Sequence, residues 1–216
     1  MNFRYPVFLD VAGRKCVVTG EGFEIPAKVH TLVTRGAEVV YVNPTAEESI
    51  ANLARAGKLT WVQHAFQPAD LDGALLVITD LDDNSVVYRA AEQRNVLCNA
   101  ADDPDFCRFS FGSVVSRGDL TVAVSTNGIA PGLAVRLRER FEREFGDEYE
   151  QFLSMLGDIR GEITQSIEGF ERRRALWYRI IDSDVLLLIR RGDPDGARSL
   201  IRDLISEAKA SPAAVE

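Results

Sequence analysis

Between Lys15 and Asn99, short apolar runs alternate with stretches of helical spacing, as in parallel strands joined by crossover helices. The pattern predicts strands over residues 16–19, 38–42, 60–64, 74–79 and 96–99. Residues 25–35 and 46–56 carry apolar positions at helical steps, and each stretch runs into a glycine, Gly36 or Gly57, suited to a helix C-terminus. Unbroken apolar runs such as 75–78 suit strands covered on both faces. The expected fold class is therefore α/β, with a doubly wound parallel sheet.

After Asp102 the rhythm changes. Residues 109–115 and 120–126 are two further strand candidates, and 131–145 reads as a helix that opens on Pro131, which a first turn tolerates. From Asp147 onward the pattern is helical. Tyr149, Phe152, Leu153, Leu156, Ile159 and Ile163 recur at steps of three and four and so share a face. Asp193 and Pro194 suit the cap and first turn of a last helix, whose Ala197, Leu200, Ile201, Leu204 and Ile205 make a second stripe. Such stripes are core or a dimer interface. Residues from Ser211 on are expected to fray.

A chain of 216 residues has room for two domains. No apolar run approaches the roughly 20 residues that span a bilayer. The stretch from Met1 to Asp10 lacks a basic region followed by a long apolar core, so a cytoplasmic location is expected. The net charge of −8 weighs against general nucleic-acid binding, which needs a basic surface, although an anionic small molecule can bind where a few arginines converge. Cys16, Cys98 and Cys107 lack CxxC spacing and are expected as buried reduced thiols. His30 and His64 lie near no cysteine pair, so no metal site is expected.

The first strand runs into Gly20-Glu21-Gly22-Phe23-Glu24-Ile25. In a dinucleotide-binding turn the first glycine makes the bend, and the second lets the backbone approach a pyrophosphate held at the positive end of the next helix. Ile25 replaces the third small residue, and the same segment also suits a glycine turn that holds no ligand. At the end of the second strand, where an acid would take the ribose hydroxyls, the chain has Asn43, Pro44 and Thr45. An amide can accept the same hydrogen bond, and no arginine stands there to favour a 2′-phosphate; NAD is therefore expected rather than NADP.

Further motifs follow in order. Tyr5-Pro6-Val7-Phe8-Leu9-Asp10 precedes the glycine turn, which extends to Lys28, and Asn99-Ala100-Ala101-Asp102-Asp103-Pro104 follows the fifth strand. Val122-Ala123-Val124-Ser125-Thr126-Asn127-Gly128 leads to Ala130-Pro131 and a helix carrying Arg136 and Arg138. Glu171-Arg172-Arg173-Arg174, Trp177 and residues 182–193 close the series. Together they resemble the precorrin-2 dehydrogenase and sirohydrochlorin ferrochelatase family, meaning the amino-terminal part of siroheme synthase and its stand-alone relatives. The resemblance implies a Rossmann NAD-binding domain over 1–112, a dimerisation segment over 113–146 and a small all-helical domain over 147–216, in an intertwined homodimer. It implies NAD-dependent oxidation of precorrin-2 to sirohydrochlorin in siroheme biosynthesis, with ferrous iron as a further substrate in members that also make siroheme. A sensor or carrier that binds NAD or a tetrapyrrole without catalysis, and an oxidoreductase acting on another small acid, are the alternatives.

The resemblance also assigns roles. Asp102 matches the family's catalytic aspartate and follows the fifth strand, where open sheets place their ligands; taken alone, Asp102-Asp103-Pro104 is also an ordinary turn sequence. Gly20, Gly22, Phe23, Glu24, Asn43, Pro44, Thr45 and Thr79 are the expected cofactor-binding residues. Phe23 and Glu24 stand where a small or polar residue and a valine are usual, and Thr79-Asp80-Leu81-Asp82-Asp83 departs from the family's Thr-Asp-Asp loop. Thr126 matches a hydroxyl position near the tetrapyrrole pocket. Because the substrate carries many carboxylates, Arg108, Arg117 and Arg136 are substrate-binding candidates, and Arg172 to Arg174 reads as a solvated helix face.

Overall fold

The computed structural model describes residues 4–210; the end from Ser211, expected to fray, lies outside them. The chain divides after Phe111 into two compact units. The first holds a five-stranded parallel sheet of β1 (Lys15–Gly20), β2 (Glu38–Val42), β3 (Thr60–Val62), β4 (Leu76–Asp80) and β5 (Leu97–Ala100), in the order β3-β2-β1-β4-β5. Its register sets Val17 of β1 opposite Val40 of β2 and Val77 of β4. Strand order reverses between β1 and β4, and ligands of such sheets bind beyond the carboxyl ends at that switch.

Alternation of side chains along each strand explains why β1 and β4 read as continuous apolar runs. Cys16, Val18, Leu76 and Ile78 point to one face, where they pack with Ile25, Val29 and Leu32 of α1 (Ile25–Thr34) and Ile50 of α2 (Glu48–Arg55). Val17, Val77 and Cys98 point to the other, against Val87, Ala90 and Ala91 of α3 (Asn84–Arg94). The apolar pattern does not single out α3, because it buries mainly small side chains. Its ends are nonetheless well marked: Asp83 accepts a hydrogen bond from the Ser85 amide at 3.0 Å, and Asn95 closes the helix in a left-handed conformation.

Four strands differ from expectation at their edges. β3 stops at Val62, two residues short, β4 starts at Leu76, two residues late, the run expected at 109–115 is strand only over Ser113–Arg117, and the run expected at 120–126 ends at Val124. Before Ser113, the Arg108 amide donates to the Cys98 carbonyl at 2.7 Å and the Asn99 side chain donates to the Phe109 carbonyl at 2.9 Å, so this stretch is held to β5 by single bonds.

The second unit opens with an antiparallel hairpin of β6 (Ser113–Arg117) and β7 (Leu120–Val124). Five helices follow: α4 (Pro131–Glu144), α5 (Glu148–Ser166), α6 (Phe170–Ile181), α7 (Val185–Arg190) and α8 (Pro194–Ala210). Both expected stripes enter one core, in which Phe152, Met155 and Ile163 of α5 meet Leu176 and Ile180 of α6 and Ala197, Ile201 and Ile205 of α8. Asp193 caps α8 by accepting from the Gly196 amide at 2.9 Å. Among the described residues no helix is long and apolar enough to cross a membrane.

All three cysteines are free thiols, Cys16 and Cys98 buried and Cys107 half-buried. Burial pushes the Cys16 thiol up to about 11 and the Cys98 thiol up to about 12.

The end of β1 is fixed from two sides. Gly20 has φ +107°, and a Cβ built there would fall 2.1 Å from the Asp80 carbonyl oxygen. From β2, the buried Tyr41 hydroxyl donates to the Gly20 carbonyl at 2.7 Å. Gly20→Ala is expected to cost on the order of 2–3 kcal/mol, from the left-handed backbone and the backbone clash together. Tyr41→Phe is expected to cost about 1–2 kcal/mol, the loss of one buried hydrogen bond. Urea unfolding followed by circular dichroism reads both values, and a Gly20→Ala variant as stable as the parent would refute the close approach.

Candidate functional site

The bend at Gly20 delivers the chain to the amino end of α1, whose Pro26 needs no amide partner. Among the described residues, the amides of Gly22, Phe23 and Glu24 donate to no protein acceptor, whereas the Ile25 amide is used by the Gly22 carbonyl at 2.9 Å. Three unspent N–H groups at the start of a ten-residue helix suit a pyrophosphate. Ile25 does not obstruct the bend, because its side chain is buried in the core between α1 and the sheet. Phe23 is fully exposed, so it does not plug the bend either. Glu24 pairs with Lys28 one turn on, at 3.2 Å, and Lys28 also sits 4.1 Å from the centroid of the Phe111 ring.

At the end of β2 the structure rearranges the expected roles. Asn43 is only 5% exposed, and its amide nitrogen donates to Glu21 Oε1 at 2.7 Å and to the Thr45 carbonyl at 3.0 Å. The Thr45 hydroxyl donates to the same Glu21 oxygen. These two bonds hold the Glu21 carboxyl below its usual range. Pro44 is exposed beside them. The Asn43 carbonyl accepts from the Trp61 indole at 2.9 Å, which ties this corner to β3. Glu21 therefore joins the group that sequence reasoning confined to Asn43, Pro44 and Thr45. Its position between two glycines gave no sign that its side chain would reach across to β2.

Beyond β4, Thr79 is buried and donates through its hydroxyl to Asn84 Oδ1 at 3.0 Å. The same oxygen accepts from the Leu81 amide at 3.0 Å, so Asn84 shapes the loop that leads into α3. Thr79 thus holds the loop rather than facing solvent. Next to it, Asp80 stands over Gly22: a Cβ on that glycine would lie 1.3 Å from Asp80 Oδ2. Burial pushes the Asp80 carboxyl above the ordinary range, and the neighbouring Asp102 and Glu24 carboxylates push it further. Asp102 itself is exposed, directly after β5, in a left-handed conformation with φ +52°. The carboxyl ends of β1, β2, β4 and β5 thus bring together Gly20, Gly22, Asn43, Thr45, Thr79 and Asp102, with Glu21, Asp80 and Asn84 added by the structure.

Of the expected substrate residues, only Arg108 belongs to the first unit. Arg108 is paired with Glu92 of α3, through Nε at 2.7 Å and a second contact from Nη2, and its guanidinium lies 5.5 Å from the centre of the Tyr88 ring. Thr126, Arg117 and Arg136 belong to the second unit. The Thr126 hydroxyl accepts from the Ala130 amide at 3.2 Å ahead of α4. Arg117 donates to the Ser116 and Glu142 carbonyls and approaches Asp147 at 3.4 Å, and the exposed Arg136 pairs with Glu139 at 2.9 Å. Among the described residues no group of three or more histidine, cysteine or acidic side chains is arranged to hold a metal ion.

A parallel sheet in this order, with a glycine bend and free helix-terminal amides at its switch point, defines a Rossmann-type protein. Residues 7–113 match the family model described as putative NAD(P)-binding, 117–144 match the sirohaem biosynthesis protein central region, and 148–205 match the sirohaem synthase dimerisation region. The chain belongs to the sirohaem synthase family, whose NAD(P)-binding, central and dimerisation regions it matches in order. It is 33% identical to the siroheme synthase of Methylobacillus flagellatus over 204 residues, 93% of this chain and 44% of that protein. To the siroheme synthase of Nitrosococcus oceani it is 34% identical over 199 residues, 91% of this chain and 42% of that one. It thus spans less than half the length of these relatives. The solved structure of SirC, precorrin-2 dehydrogenase, superposes with a TM-score of 0.76 over 96% of this chain and all of that one; at 23% identity the likeness is one of fold.

Asp80 supplies a test of the site's electrostatics. Its folded pKa lies above the unfolded value of about 3.9, so its contribution to stability is full below that value and is lost as pH rises through the folded one. Asp80→Asn, which cannot ionise, should raise Tm at pH 7, with the gain shrinking as pH falls toward 4. Scanning calorimetry across that range checks the sign, and a gain that grows on acidification would contradict it.

Proposed function

We propose that this chain is an NAD-dependent precorrin-2 dehydrogenase of siroheme biosynthesis, working as a homodimer. One observation carries the reading: the three family models follow one another in order along the chain, and the free-amide bend and Asp102 stand at one edge of a single sheet. NAD, when bound, accepts the hydride that leaves the reduced macrocycle. The protein's part is to bind, orient and take the proton. The amides of Gly22, Phe23 and Glu24 would hold the pyrophosphate, and Gly20 and Gly22 let it approach the backbone. Asp102, exposed at the end of β5, would accept the proton released from the macrocycle. Thr126, Arg117 and Arg136 remain candidates for the substrate carboxylates: the Thr126 hydroxyl accepts from the Ala130 amide and keeps its own hydrogen to donate, and the exposed Arg136 spends one nitrogen on Glu139. Arg108 is less suited, since its guanidinium is spent on Glu92. A dimer is supported by the match at 148–205 and by the exposed Phe170, Tyr178 and Ile181 of α6.

A second activity is favoured by one feature, the nearness of two carboxylates, Asp80 and Asp102. Inserting ferrous iron into sirohydrochlorin expels two pyrrole protons, and two adjacent acids can receive them. Iron in this scheme is a substrate carried to the macrocycle's own nitrogens.

Asp102→Ala should reduce NADH formation from precorrin-2 and NAD by about a hundredfold or more, the scale of a lost general base, while leaving NAD affinity unchanged. Absorbance at the NADH band reads the first and calorimetric titration the second. An Asp102→Ala variant with full turnover would overturn the role of Asp102. A parent protein that binds NAD and tetrapyrrole yet forms no NADH would favour a sensor or carrier instead.

A further inference from the structure

We infer that Glu21 is the acid that recognises the ribose of the bound dinucleotide and that it makes the site selective against a 2′-phosphate. The inference rests on the reading of the first unit as an NAD site. Rossmann sites that take NAD place a carboxylate at the end of the second strand to accept from the ribose hydroxyls. This chain has an amide there, and its nitrogen is spent on Glu21 Oε1 and the Thr45 carbonyl. The carboxylate arrives from the glycine bend instead. Glu21 reaches β2 and is fixed by Asn43 Nδ2 at 2.7 Å and by the Thr45 hydroxyl, both on Oε1. Among the described residues Oε2 has no hydrogen-bond partner, and Glu21 is exposed, so Oε2 is the oxygen left to accept a ribose hydroxyl. Asn43 and Thr45 are then positioning residues: they fix where the charge stands.

The surroundings favour the unphosphorylated ribose. Glu21 and Glu47 both act on the Tyr41 hydroxyl, whose ionisation burial chiefly, and these two acids in addition, push up to about 12. The field at this corner is thus negative. Among the described residues no ion pair sets an arginine or lysine against Glu21 to neutralise it, and its carboxyl is held by Thr45 and Asn43. A 2′-phosphate would bring close to two negative charges against a fixed carboxylate.

The fluorescence of Trp61, whose indole donates to the Asn43 carbonyl, gives a binding signal that does not depend on turnover. Titrating the full chain with NAD and with NADP should show NAD bound at least tenfold more tightly. Glu21→Gln and Glu21→Ala should each weaken NAD about ten- to a hundredfold, the scale of a charge-assisted hydrogen bond, and leave NADP unchanged or tighter. Thr45→Val should weaken NAD severalfold through the loosened carboxylate. Circular dichroism and Tm confirm that each variant is folded. If the parent binds NAD and the Glu21 variants bind it equally well, with the same preference over NADP, this inference fails and the NAD reading stands. A parent that prefers NADP likewise overturns the inference alone. A parent that binds neither nucleotide overturns both.

Discussion

The close passage of β1 over the end of β4 is the constraint on which the rest of the first unit depends. A single Cβ at Gly20 would occupy the place of the Asp80 carbonyl, so the turn exists only because that position carries no side chain. Given the turn, α1 starts where its amides face outward and Ile25 can sink into the core beneath it. Given that placement, Glu21 is left pointing toward β2, where Asn43 and Thr45 receive it. Tyr41 ties the same backbone to β2 from below, so stability and site geometry share one hydrogen bond.

The chemistry of this edge is a balance of opposite polarities. Backbone N–H groups and the helix terminus favour an anion, while Glu21, Glu24, Asp80 and Asp102 oppose it. Each acid is managed differently. Glu24 is matched by Lys28, Glu21 is held by two donors, and Asp80 resists ionisation because it is partly buried beside two other carboxylates. Asp102 alone stands exposed on a backbone twisted into the left-handed region. Such conformations persist only when neighbouring structure imposes them, and they cluster where a side chain must be aimed.

Much of the fold was legible because parallel strands covered on both faces announce themselves as apolar runs, and helix ends announce themselves through Gly36, Gly57 and Asp193. The two helical stripes were equally plain. α3 was not, since alanines at 90 and 91 bury little area and leave little periodicity. Of the candidate site, the bend and Asp102 could be read because their meaning lies in local sequence. Asn43 could be placed at the end of β2, but its chain position did not show that its amide nitrogen would be spent on Glu21 and Thr45. Glu21 and Asp80 were invisible for a related reason: each acts on a neighbouring strand or loop, while the bonds of Asn84 to Thr79 and Leu81 exist only once its own loop has folded. Sequence does not say which carboxylate or carbonyl a guanidinium will find, as Arg108 finds Glu92.

Cys16 and Cys98 sit on opposite faces of one sheet, with their thiols held in the protonated form. At neutral pH only about one Cys16 in ten thousand is the reactive thiolate. Oxidants and alkylating agents therefore find neither of these two thiols reactive while the sheet is closed. Each thiol becomes a clock for the opening of its own face, so pulsed alkylation can time the departure of α1 and α2 separately from that of α3.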